Sequence, residues 1–116
     1  MPRSVKACLT DIKDAIAGIE GIVIGMTFAE YQSSWRDQRA VERGLEIISE
    51  ASRRIPDSIK VRYPHLPWHG IASIGNHLRH EYQHIDPEII WEIATVRLGR
   101  LSRAVADALK DFEEPT

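Results

Sequence analysis

Cysteine is nearly missing from this chain. Cys8 stands alone, which rules out an intramolecular disulfide. Its neighbours at helical spacing are apolar, so Cys8 reads as a small core residue. Long apolar runs are missing too. No stretch approaches the ~18 residues that a membrane span needs, and no secretory leader is legible. The expectation is a cytoplasmic protein without a membrane partner. Neither sign of charge dominates: 15 Lys and Arg stand against 17 Asp and Glu, for a net charge of −2. The field of the whole molecule therefore gives no reason for nucleic-acid binding, and any RNA contact has to come from a local basic patch. Strand-like alternation, internal repeats, low-complexity tracts and linkers are also absent. The 116 residues then read as a single helical domain over 1–116, large enough for one core.

What is present is helical periodicity. Val5, Cys8, Leu9, Ile12, Ala15, Ile16, Ile19 and Val23 recur at steps of three and four, predicting a helix over 4 to about 24 that Gly25 ends. Thr27-Phe28-Ala29-Glu30 has the form of a capping box for a short helix through Tyr31, which Ser33-Ser34 breaks or softens. A long helix is expected from about 37 to 54, with Val41, Gly44, Leu45, Ile48 and Ala51 inward and Arg36, Arg39, Arg43 and Glu50 mostly solvated. Gly44 on the apolar side suggests close approach of another helix. The segment 56–67 is rich in breakers, with room for a helical turn at 57–62. A central helix follows from about 68 to 82, and a last helix from Pro87 to about 112 that Gly99 is expected to bend. Four main helices with one or two short ones give an all-α, up-and-down bundle.

The chemistry concentrates in Leu66 to Trp91. Four of the five histidines lie here, His69, His77, His80 and His84, with Asn76, Arg79, Glu81 and Tyr82 among them. Pro87 pushes Asp86 out of the helical region, so Asp86 closes one helix and caps the next. Residues three and four apart share a helical face, which gathers His77, His80 and His84 with Asn76 and Arg79 near them. A histidine beside an arginine suits metal-free RNA cleavage. Imidazole can move the proton of the 2′-hydroxyl or of the leaving oxygen, and guanidinium can hold the phosphate. The plainer reading is surface polar residues with one satisfied buried histidine. His77, His80 and His84 could also hold zinc, but His84 lies two residues before Asp86, where the regular helix has ended. No metal or other cofactor is expected.

Several segments together resemble the HepT-like branch of the HEPN family, small all-helical proteins often encoded beside a minimal nucleotidyltransferase. They are Ile47-Ile48-Ser49-Glu50-Ala51 (similar to the family's GEA helix), Tyr63-Pro64, Leu66-Pro67-Trp68, Ile74-Gly75-Asn76, His80-Glu81-Tyr82 and Ile85-Asp86-Pro87-Glu88-Ile89-Ile90-Trp91. The resemblance covers most of the chain. The family signature is an arginine, usually an asparagine, three variable residues, a histidine, one residue and a tyrosine. Anchored on Ile85-Asp86-Pro87, the histidine falls on His80, the tyrosine on Tyr82 and the asparagine on Asn76. The arginine position falls on Gly75. The register that takes Arg79 with His84 instead leaves Asp86 where the tyrosine belongs, and explains fewer residues.

The resemblance implies a metal-independent endoribonuclease toxin, with a site formed where two protomers meet. It also implies a nucleotidyltransferase antitoxin that attaches AMP to Tyr82. In that reading His80 is the general acid and base, Arg79 the phosphate ligand from a displaced position and Asn76 a polar orienter. His77, His84 and Glu81 are possible additions. The expected partners are RNA, a second copy of the chain and the antitoxin, in a homodimer or a larger complex. The alternative is a non-catalytic subunit that binds a nucleotidyltransferase and a nucleotide or RNA.

Overall fold

The computed structural model describes residues 3–113, without the side chain of Tyr82. Helix α1 (Val5–Val23) begins where the Ser4 hydroxyl accepts from the Ala7 amide at 3.0 Å. It ends before Gly25, whose φ of 72° is the left-handed conformation glycine tolerates best. The capping box forms at α2 (Phe28–Gln32). Glu30 N donates to Thr27 Oγ1 at 3.1 Å, and Thr27 N donates to Glu30 Oε1 at 2.9 Å. Ser33-Ser34 does break the helix. Ser34 then caps α3 (Trp35–Ser52) by accepting from Asp37 N at 3.1 Å, so α3 starts two residues before the expected Asp37. A serine cap fixes a helix start that charge pattern alone leaves open.

A single turn, α4 (Asp57–Lys60), interrupts the connector. Helix α5 (Trp68–His80) follows Pro67. It stops two residues short of the expected end, with Glu81 at φ −123° and ψ 27° and a 3-10 turn over Tyr82–His84. The chain has to be extended at Asp86 before Pro87, and the intervening residues make the turn. Asp86 Oδ1 accepts from Glu88 N at 2.9 Å and caps α6 (Pro87–Glu92). The last helix is distorted by a π turn at Ile93–Arg97, not by the expected bend at Gly99, and continues as α7 (Leu98–Leu109). The buried residues explain the π turn. Ile90, Ala94 and Leu98 step by four before Leu101, Val105 and Ala108 resume ordinary spacing. The wider turn absorbs that slip and keeps both stripes inward.

Helix α1 packs on α3 and α7, and α5 packs principally on α3. The result is the expected all-α bundle, with no strand among the described residues. The core is Cys8, Leu9, Ile12, Ile16, Ile19, Val41, Leu45, Ile48, Leu101 and Val105, all buried. Each large aliphatic contributes about 1.5–3 kcal/mol by leaving water. Gly44 marks the close α1–α3 approach that its place on the stripe suggested: a Cβ there would meet Ile19 Cγ1 at 2.7 Å. Because α5 lies at the edge of the bundle, its far face remains exposed. The expected fraying of Glu113-Glu114-Pro115-Thr116 falls, for 114–116, outside the described residues.

Candidate active site on the central helix

Helix α5 divides its side chains among three directions. Leu78 and Gly75 point into the bundle and are buried. Asn76 and Arg79 are exposed. His80 stands on the exposed face, free of hydrogen bonds and ion pairs among the described residues. Successive helical residues are about 100° apart, so Arg79 and His80 do not share a face. Asn76, three residues before Arg79 and four before His80, lies beside both. Its Oδ1 accepts from Arg79 Nη2 at 2.8 Å. This bond turns the guanidinium back along the helix. Arg79 Nη1 comes to rest 3.5 Å from where a Cβ on Gly75 would sit. The guanidinium thus lies over the place where a side chain on residue 75 would begin.

Gly75 itself has no room for a side chain. A Cβ would meet Ser49 Oγ at 2.7 Å and Ser49 Cβ at 3.0 Å. Ser49 is 1% exposed. Its hydroxyl donates to the Ala72 carbonyl at 2.7 Å and accepts from Gly75 N at 3.2 Å. Arg53 donates to the same Ala72 carbonyl, from Nη2 at 2.7 Å and from Nε at 3.2 Å. These contacts lock α5 onto α3 one turn before the motif. Sequence reasoning passed over Ser49 and Arg53. The available signal was a hydroxyl on the inward stripe beside Ile48, which needs a polar partner once buried.

On the other flank His77 Nδ1 is bonded to Glu81 Oε2, and both side chains are exposed. With His84, Ile74, Ile85 and Ile89 they line a cleft of about 280 Å³ beside α6. The site residues are therefore split. Asn76 and Arg79 are joined, His80 stands next to them, and His77, Glu81 and His84 belong to the α6 side. No described histidine is buried, so the satisfied core histidine of the plainer reading does not occur. No cluster of three metal-ligating residues occurs among the described residues. Tyr82 follows α5 in the 3-10 turn, and its side chain lies outside the described residues.

A family model described as Ribonuclease HepT-like matches residues 12–108. The chain belongs to the HepT-like ribonuclease family. A relative from Methanocaldococcus jannaschii, named "Putative RNase MJ0127", is 35% identical over 114 residues, covering 97% of this chain and 94% of its own. Another, named "Probable ribonuclease HepT", from Thermococcus cleftensis, is 38% identical over 92 residues, covering 79% of this chain and 84% of its own. No solved structure matches the chain. Within this HepT-like chain, Gly75 and Ser49 share one space between α5 and α3. Ser49 fills the space that a side chain on residue 75 would need.

Proposed function

We propose that this HepT-like chain is the toxin of a toxin–antitoxin pair, a single-domain endoribonuclease that cleaves RNA without metal in a cleft between two protomers. His80 takes the proton of a ribose 2′-hydroxyl, whose oxygen attacks the adjacent phosphorus. The bond to the 5′-oxygen breaks, and that oxygen receives a proton from the second copy of His80 in the dimer. Arg79 binds the non-bridging phosphate oxygens and the charge that develops on them, while Asn76 holds Arg79 in place. The observation that carries this reading is the Arg79 guanidinium lying over Gly75 in the grip of Asn76. It restores a cation near the motif's arginine position although the residue there is glycine. No cofactor enters the reaction.

The partner is a minimal nucleotidyltransferase that transfers AMP from ATP to the Tyr82 hydroxyl, releasing pyrophosphate. A phosphodiester anion two residues from His80 would compete with substrate phosphate for Arg79. A second reading, a non-catalytic subunit that binds a nucleotidyltransferase, is favoured by one observation: no guanidinium can spring from residue 75 itself.

One set of incubations separates the two. Purified protein is mixed with RNA in the presence of chelator, before and after treatment with the partner and ATP. Wild type should cut. His80→Ala should lose about 10²–10⁴-fold in rate, the usual worth of a general acid or base. Treated wild type should gain the mass of one AMP and stop cutting, whereas Tyr82→Phe should not gain it. RNA left intact by the untreated wild type would establish the non-catalytic reading.

A further inference from the structure

A second cluster of cations lies beside the connector that leads into α5. Tyr63, His65, Arg100, Arg103 and Ala104 line a cleft of about 200 Å³ between the α4–α5 connector and α7. Arg100 and Arg103 are three residues apart and so share a face of α7. The carboxylates nearest along that helix are already engaged. Asp107 accepts from the Tyr63 hydroxyl at 2.6 Å and pairs with Arg62 at 3.6 Å. Asp111 is bonded to Arg62 as well. Among the described residues no carboxylate pairs with Arg100, Arg103 or His65. Tyr63, 8% exposed and held by Asp107, makes one wall, and Ala104 keeps the floor open between the arginines. This is an unneutralised, partly preformed cationic cleft in a chain of net charge −2.

We propose that this cleft is a second phosphate-binding site that grips the backbone of the RNA strand away from the point of cleavage. Paired guanidinium groups are suited to phosphate oxygens, because their planar forks bind two oxygens at once. The exposed His65 ring adds a donor and a flat surface on which a base can stack. The overall charge gives no general attraction for RNA, so affinity has to come from local cations of this kind. Tyr63 is tied to the start of α5 by the Trp68 indole, which donates to its carbonyl at 3.1 Å. His80 closes the other end of that helix, roughly 18 Å away by helical rise. A strand of several nucleotides can reach both places, and a dinucleotide cannot. This inference rests on the ribonuclease reading.

The test compares His80→Ala protein with the same protein carrying Arg100→Gln and Arg103→Gln. Binding of a labelled RNA of about twelve nucleotides is followed by fluorescence anisotropy over a range of salt. Removing two phosphate contacts should lower the slope of log K against log salt by about 1.4, at ~0.7 per contact for a single strand. In His80-containing protein, the two arginine substitutions should leave dinucleotide cleavage unchanged. An unchanged slope with RNA still bound would overturn the second site and leave the ribonuclease reading standing. Equal losses on the long RNA and the dinucleotide would assign the arginines a structural role and overturn it too. If neither protein binds RNA and wild type cuts none, both readings fall together.

Discussion

Tyr31 shows how much one atom can matter. Its side chain is 0% exposed and its ring packs 5.2 Å from that of Trp91. Among the described residues its hydroxyl has no hydrogen-bond partner. Burial pushes its pKa up from the ordinary phenol value of 10 to about 12, with the Glu42 charge adding to the rise. A buried donor without a partner costs about 1–3 kcal/mol. Tyr31→Phe should therefore unfold at higher denaturant concentration than wild type, and lower stability would show that the hydroxyl is satisfied. The sign of the pH effect follows from the raised value. Between pH 10 and about 12 the unfolded chain has lost the phenolic proton that the folded chain retains. Stability contributed by Tyr31 is thus complete below pH 10 and declines as pH rises through this window, at about 1.4 kcal/mol per pH unit. Tyr63, raised by burial and by its bond to Asp107, acts in the same direction. The phenylalanine variant should show a shallower alkaline decline.

Among the elements, the α3–α5 contact decides what the site can be. Ser49 and Gly75 fill one space between them, with the hydroxyl bridging Ala72 O and Gly75 N. Gly75→Arg alone should cost about 1–3 kcal/mol through overpacking, and it should push α5 away from α3. Adding Ser49→Gly removes the atoms that a Cβ on residue 75 would meet. The double variant should then lose less than the sum of the two single changes. A double-mutant cycle from chemical denaturation measures this, and strict additivity would show that the two positions do not share the space. The central helix, its Asp86-Pro87 stop and the capping box were legible because each rests on local backbone chemistry. The Ser49–Gly75 contact was not, because it joins residues 26 apart in the chain.

At the scale of the molecule, α5 lies at the bundle edge with His80 exposed, and Ile89, 54% exposed, rims the cleft between α5 and α6. One protomer offers one His80 and one Arg79, on different faces. Pairing across this apolar and polar surface would supply two of each, and isologous dimers are the commonest oligomer. Light scattering at micromolar concentration should give about twice 13.2 kDa. Ile89→Asp should shift the mass to the monomer and lower RNA cleavage with it. A monomeric wild type that still cleaves RNA would remove the shared site.

The amino-acid order by itself determined the helical class, most helix starts and the concentration of histidines before Asp86-Pro87. These follow from 3.6-residue periodicity, capping hydroxyls and the fixed φ of proline, all of which act within a few residues. It also carried the family resemblance that the matching model established. Only the tertiary structure decided where the cations lie. It folded Arg79 back over Gly75, set Arg53 on the Ala72 carbonyl and, among the described residues, left Arg100 and Arg103 without carboxylates. Whether a surface arginine is neutralised or free depends on which distant acids the packing of helices brings within reach. Helical periodicity specifies faces and does not specify those neighbours.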